Sequence, residues 1–457
     1  MKQNLLFSLI VAFLCAVNAE IYAQDAPVYR RSSIFMIMME DDNLDPQVSG
    51  LVKQYFVENP VPAKFDDHGI DNSFKTFSPY SIAVSADDRT EFSEVSGKKV
   101  KKGKSAENTK LASGILGLAG SLVGVEMGPS DEKYRNPVID TLKKERAVKA
   151  WLYLKRNNFA KMMMDKWFSA DKGQLSIDVI AERAFFNSTA EERNAAKELY
   201  SERNIKDAIM DMNGFDMLDN TFVTVSSFRY MTGDDMAAEI LNGAAIGAQF
   251  LPRDAADAVM ATAELSATGA TLAIGKGYCI STTTYLYKLV WNEEVKAAIF
   301  DSASDIAKYN ALDCFSLEYI GEDNAYSQIS VGKRTFEDAV KFATVRSVDK
   351  VIAKLEKNNE VFRTKTPLTQ VDPVITASIG TKECVEKGDK YEILSASVNK
   401  KTGLTEYKKV GQITVDMVGN NLGEDNDTEG AADVAYTTFK GKLPKNVVPG
   451  TLIRQTK

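Results

Sequence analysis

The chain has 457 residues, with 56 Lys and Arg against 63 Asp and Glu, one histidine and four cysteines, and a net charge of −7. That acidic balance argues against nucleic acid as a main partner, and a lone histidine with so few thiols leaves a Cys/His zinc site almost without ligands. The length exceeds what a single hydrophobic core fills, so two or three domains are expected.

Residues 1–23 read as a signal peptide. Lys2 supplies the positive start, and Leu5 to Val17 is an apolar run of about 13 residues, the length of a leader core and too short to span a bilayer. Val17-Asn18-Ala19 and Ile21-Tyr22-Ala23 both put alanine before a cut, so cleavage is expected after Ala19 or Ala23. Leu14 before Cys15 is too bulky for a lipid-attachment signal. No later stretch reaches the ~18 to 20 uninterrupted apolar residues of a spanning helix. The expectation is an exported protein of the periplasm or outer-membrane surface, with no transmembrane span and at most peripheral membrane contact. Beyond the leader only Cys279, Cys314 and Cys384 remain. Cys279 and Cys314 fall on neighbouring strand candidates, which leaves a disulfide or two free thiols as the alternatives.

Residues 24–133 read as a small α/β domain. Ser32 to Met39 (SSIFMIMM) is an apolar run of strand length. Asp45-Pro46 opens a helix whose apolar positions Val48, Leu51, Val52, Tyr55 and Phe56 recur at spacings of three and four, and Asn59-Pro60 ends it. Gly97 to Ser105 (GKKVKKGKS) reads as a solvated loop. In the glycine-rich stretch Leu111 to Met127 that follows, Gly117, Gly120 and Gly124 share one helix face. It is either a closely packed internal segment or a helix for membrane contact or self-association.

Residues 134–366 read as an α+β domain with helices on a mainly antiparallel central sheet. Glu145 to Phe168 has helical periodicity, and Asp171-Lys172-Gly173 breaks it. Ser188 and Thr189, each three residues before a glutamate, offer capping boxes for the next helix. Asn220 to Met231 and Tyr278 to Trp291 are rich in β-branched and aromatic residues; the second carries large apolar groups on both faces and should be a central strand. Between them lies the Ala/Gly-rich stretch Asn242 to Gly277. Charges at Arg253, Asp254, Asp257 and Glu264 make it a pair of close-packed helices rather than a membrane hairpin. Cys314 to Ile320 and Ala325 to Val331 suggest a hairpin turning at Gly321-Glu322-Asp323-Asn324. Thr335 and Asp338 cap a long helix with its stripe at Phe336, Val340, Ala343, Val348, Val351 and Leu355.

Residues 367–457 read as a small all-β barrel, SH3-like in size. Short strand candidates begin at Val374, after a linker bracketed by Pro367 and Pro373, and turns fall at Lys387-Gly388-Asp389, Lys401-Thr402-Gly403 and Pro449-Gly450.

Two clusters invite a chemical reading. His68 stands beside Asp66 and Asp67, with Asp71 close by, and a carboxylate could orient the imidazole as a base. Gly69 makes this a turn, however, and no nucleophile, zinc or phosphate-loop motif accompanies it. Asp425, Asp427 and Glu429 alternate like the first half of a calcium loop, but Tyr436 stands where the bidentate glutamate belongs. Neither cluster calls for a cofactor.

The stretches RRSSIFMIMM, PVPAKFDDHGI, MMDKWFSADKGQLSIDVIAERAFF and DNTFVTVSSFRY resemble an uncharacterised family of large exported proteins of Gram-negative bacteria. That resemblance implies export and leaves activity open. ASIGTKECVEKGDKYEIL, KKVGQITV and VVPGTLIRQ are similar to C-terminal β modules of flagellar and curli-type envelope assembly proteins, which implies a module for interactions. The expected function is therefore a non-enzymatic structural or assembly component of the cell envelope, with envelope proteins or further copies of itself as partners. The rivals are a hydrolase using His68 with Asp66 and Asp67, and a membrane-active oligomer using Leu111 to Met127.

Overall fold

The computed structural model describes residues 31–40, 46–100, 137–199, 204–248, 251–274, 278–329, 334–399, 405–421 and 436–456. The leader, the Gly117, Gly120 and Gly124 face and the Asp425, Asp427 and Glu429 tip lie outside the described residues. The chain is mixed α/β with two sheets.

The first sheet is built from β1 (Ser32–Met39), β2 (Phe65–Asp67), β3 (Thr76–Phe77), β4 (Thr221–Thr232), β5 (Tyr278–Leu289) and β6 (Leu317–Ile329). The helices that position it are α1 (Pro46–Glu58), α2 (Ala86–Val100), α3 (Pro137–Arg156), α4 (Phe159–Trp167), α5 (Asp178–Phe186) and α6 (Ala190–Leu199). After β4 come α7 (Gly233–Ala248) and α8 (Arg253–Ile274), and after β6 comes α9 (Phe336–Asn358). The strand order is β2-β1-β4-β5-β6, with β3 also on β1.

β1 explains the layering. All eight of its residues are buried. Phe35, Ile37 and Met39 point into one core, where α3, α4 and α5 bring Trp151, Leu152, Phe159, Met163, Trp167 and Ile180. Ile34, Met36 and Met38 point into the other, with Val48, Val52 and Phe56 of α1 and Val340, Ala343, Ile352 and Leu355 of α9. Strand side chains alternate between faces, so a strand covered on both sides is apolar on both, as Ile34 to Met39 is, with the Ser33 hydroxyl satisfied by side-chain partners.

Three sequence expectations are corrected here. The strand Ser32–Met39 does not belong to a separate small domain: β1 pairs in parallel with β4, from Ser33 opposite Thr221 to Met39 opposite Ser227. The sheet is accordingly mixed, parallel among β2, β3, β1 and β4 and antiparallel among β4, β5 and β6. The hairpin expected around Gly321 to Asn324 is one continuous strand, β6, paired with β5 along its length. Its irregularity is a bulge: Leu286 faces Gly321 and Tyr287 faces Tyr319, which leaves Ile320 as the extra residue. The lysine-rich run expected as a loop begins inside α2, which continues to Val100.

The second sheet closes on itself in the order β10-β11-β8-β7-β12-β9. It comprises β7 (Thr366–Gln370), β8 (Ile375–Ala377), β9 (Lys390–Val398), β10 (Thr405–Met417), β11 (Thr437–Lys440) and β12 (Leu452–Gln455), all antiparallel neighbours. Pro367, read as linker, sits in β7 opposite Leu452; proline lacks the N–H of a ladder, which hid this strand in the sequence. Leu368, Ile393, Ile413, Val415, Phe439 and Ile453 fill the ring's own core. Gly380 lets the chain cross itself here, since a Cβ on it would lie 2.2 Å from the carbonyl oxygen of Gly419. With a private core and closed hydrogen bonding, residues 364–457 should fold when expressed alone. Dispersed amide resonances that survive reductant are expected, Cys384 being the segment's only cysteine; a collapsed spectrum would refute the boundary.

Candidate functional site

His68 follows β2 directly and is buried, 2 % exposed. Its Nε2–H donates to the Met163 carbonyl at 3.1 Å, and its Nδ1 faces the Ser33 hydroxyl at 3.4 Å. Ser33 Oγ also lies 3.2 Å from Thr221 Oγ1, which accepts from Trp167 Nε1 at 3.0 Å and donates to the Met217 carbonyl at 3.1 Å. The imidazole is thus a joint between α4 and the β1–β4 pair. The acids beside it turn elsewhere. Asp67 accepts from the Gly69 N–H at 2.9 Å, and Asp71 caps the short turn at Asn72–Phe74 through the Ser73 N–H. Asp66, paired across from Ser33, is half-buried. Neighbours in a chain seldom share a direction, and no described hydrogen bond joins His68 to a carboxylate.

Burial pushes the His68 imidazole down to about 3, with the nearby Arg183 and Lys166 charges acting in the same direction against its bond to Met163. The folded value lies below the unfolded one near 6.5. As pH falls below about 6.5 the unfolded chain takes up a proton that the native state refuses, so this stability is complete above that pH and is lost toward about 3. The slope is about 1.4 kcal/mol per pH unit. His68→Gln keeps a donor for Met163 without titrating. From about pH 7 to pH 5, urea unfolding should show the native sequence losing about 2 kcal/mol more than the variant; parallel profiles would refute the assignment.

The sequence reading missed a second buried cluster. Arg31, just ahead of β1, donates through Nη2 to Glu192 Oε2 at 2.6 Å and through Nε to the Asn187 carbonyl at 3.3 Å. Glu192 is 1 % exposed. Its Oε2 also accepts from the Thr189 N–H at 2.8 Å, while its own N–H donates to Thr189 Oγ1 at 3.2 Å, which realises the expected capping box of α6. Its Oε1 accepts from the Tyr407 hydroxyl of β10 at 2.9 Å. Lys365, at the entrance to β7, lies over the Tyr407 ring at 4.3 Å, and burial pushes its ammonium below the usual range. The available signals were an arginine just ahead of a largely apolar strand and a glutamate at a capping position. Neither names its partner.

Removing one member of a buried ion pair leaves the other charge without compensation, at about 3 to 5 kcal/mol. Glu192→Gln, which retains the cap's shape, should lower unfolding stability by that order, and Tyr407→Phe by about 1.5 to 3 kcal/mol. A loss below about 1 kcal/mol for Glu192→Gln would show that the pair is dispensable.

The exposed counterpart of these joints is an arm. The Ala/Gly-rich stretch forms the expected helix pair, α7 and α8, inserted between β4 and β5. Ala245, Ala248, Leu251, Ala256 and Met260 close its small core. Among the described elements, α7 is the one against which α8 packs substantially. On its outer face Ala258, Ala261, Thr262 and Leu265 are exposed, Leu265 by 77 %. Thr262, Ser266 and Thr268 turn their hydroxyls back onto carbonyls four residues earlier. The three cysteines 279, 314 and 384 are free thiols. Among the described residues no group of three or more His, Cys, Asp or Glu is placed to hold a metal, and no helix is long and apolar enough to cross a membrane.

No protein-family model matches the chain, and no curated protein matches it.

Proposed function

We propose that the protein is an exported, non-enzymatic structural or assembly component of the cell envelope that acts through protein contacts. The observation that carries this reading is the α7–α8 arm, a helix pair inserted between β4 and β5 that exposes Ala258, Ala261 and Leu265 together on one face. The leader pattern of residues 1–23 supports export. The closed C-terminal ring, SH3-like in its short strands and similar in sequence to the β modules of flagellar and curli-type assembly proteins, supports an interaction role. The burial of His68 and the outward turn of Asp67 favour it over hydrolysis, because a base must reach its substrate.

The test combines fractionation with cross-linking in cells. The folded protein should be recovered from the envelope fraction with Glu20 or Gln24 as its first residue. A photo-reactive residue placed on the ring or the arm should join it to protein. Intact Met1 on most of the folded protein would overturn the export reading, and cross-links to lipid alone would overturn the protein-contact reading.

A further inference from the structure

One end of the C-terminal ring opens toward the body. Tyr391 at the start of β9, Thr366 at the start of β7 and Gln455 at the end of β12 stand at that end, with Gln455 directly opposite Tyr391 and Thr366 opposite Ile453. Strand side chains alternate, so Thr366, Tyr391 and Gln455 share the inward face of Leu368, Ile393 and Ile453, which fill the ring's core. Glu383 joins them from the ring, and Lys64, Glu356 and Arg363 of the body cover the opening. The mouth of a closed sheet is a recurrent place for a ligand. The space left here is about 30 Å³, room for an ion or a water and too little for an organic molecule.

Four oxygens in this cleft have no protein partner. Tyr391 is 4 % exposed, and its ring meets the Phe439 ring edge-on at 5.3 Å. Among the described residues nothing donates to its hydroxyl or accepts from it. A buried hydroxyl without a partner calls for a ligand that supplies one. The Gln455 amide nitrogen donates to Asp389 at 2.9 Å, which leaves its Oε1 uncommitted. Glu383 Oε2 accepts from the Gly380 N–H at 2.7 Å and from Asn421 at 2.8 Å, which leaves its Oε1. Thr366 Oγ1 has no partner among the described residues. We infer that these four oxygens bind one monovalent metal cation, sodium or potassium, in the mouth of the ring.

The donor set selects the ion. Oxygens without nitrogen or sulfur suit a hard cation. One uncommitted carboxylate oxygen is too little for calcium or magnesium, which take more ligands and more charge. The surrounding field also favours a cation, since Glu356, Glu383 and Asp389 oppose Lys64 and Arg363, three acids against two bases. Burial works against the Lys64 ammonium, yet its partner Glu356 and the nearby Glu383 hold it above its usual range. Burial pushes the Tyr391 hydroxyl up, and Asp389, Glu356 and Glu383 push it the same way. The phenol therefore stays protonated and offers the ion a neutral oxygen, while an anion would be repelled. This site lies apart from the arm and does not depend on the assembly reading.

The experiment follows thermal unfolding of the mature full-length protein in sodium, potassium or tetramethylammonium chloride, each at about 0.15 M so that general screening is equal. Tetramethylammonium is too large for the cleft. An ion that binds only the folded state raises the melting temperature. Tm should be higher by at least about 2 °C in sodium or potassium than in tetramethylammonium, and the larger rise identifies the ion. Tyr391→Phe removes the hydroxyl and keeps the ring against Phe439. Thr366→Val removes a second oxygen with little change of shape. Each should at least halve the difference between salts, and either one that folds suffices for the comparison. Equal Tm in all three salts would mean that water alone occupies the cleft and would overturn the proposal. A difference that stays at its native size in the variants would place the ion elsewhere and overturn it as well.

Discussion

A carboxylate taken out of water must have its oxygens answered, and at Glu192 three separate parts of the chain supply the answers. Arg31 comes from the segment leading into β1, Thr189 from the start of α6, and Tyr407 from the C-terminal ring. Each donor is useful because of the others. The capping bond fixes the glutamate at the helix start, the guanidinium offsets its charge, and the phenol closes the remaining oxygen. Buried ion pairs rarely add net stability over an apolar replacement, since desolvation consumes most of the attraction. What this one supplies is position: it sets where the strand entry, α6 and the ring meet, and a displaced partner would leave a buried charge exposed to no compensating group. A second set of contacts fixes the ring from the other side. Glu356 of α9 pairs with Lys64 and accepts from Thr364 Oγ1 at 2.6 Å, while Arg346 reaches the Thr381 carbonyl at 3.4 Å.

The elements were legible in the sequence where local physics decides them. SSIFMIMM has the length and apolar content of a strand, and it is one. Thr189 with Glu192, and Thr335 with Asp338, form the caps that their spacing implied. The helix pair between the two long strands follows from small residues interrupted by charges. What stayed hidden was partnership. An apolar strand fits the middle of any sheet, and nothing in Ser32–Met39 says that its neighbour lies at Thr221–Thr232. A division at residue 133 set β1 apart from β4 for that reason, whereas the segment between the two strands packs helices on both faces of the one sheet, α1 on one and α3 to α5 on the other.

Turn chemistry misled where a strand tolerates it. Gly321-Glu322-Asp323-Asn324 has the composition of a hairpin, yet β5 is long enough to hold the whole of β6 in register. The glycine serves the bulge instead, where a Cβ would stand 3.3 Å from Asn359 Oδ1. Pro367 misled in the opposite sense. His68 was read as a turn residue, which was right about its backbone neighbourhood and silent about its side chain. The turn at Gly69 directs the imidazole inward, between the Met163 carbonyl and the Ser33 hydroxyl, because β2 lies beside β1 and α4 lies beneath both. Fold-level contacts made a structural joint from the residue with the most catalytic appearance.

The same contrast separates the inside of the molecule from its arm. Within the body, polar side chains at the joints are tied to specific partners: a histidine to a carbonyl, a glutamate to three donors, lysines to the carbonyls of an edge strand. The arm's hydroxyls are also satisfied, but by their own helix, and the face beside them exposes Ala258, Ala261 and Leu265. A helix pair this small gains little from its own core of alanines with Leu251 and Met260. Its hold on the molecule comes from the two long antiparallel strands on which it is mounted, β4 and β5, whose register runs from Phe222 opposite Lys288 to Thr232 opposite Tyr278. The ladder fixes the arm's base while its outer face remains outside the packing that stabilises the rest. Substitutions on that face should therefore alter contacts between molecules with little effect on folding, whereas changes at Glu192 or His68 should do the reverse.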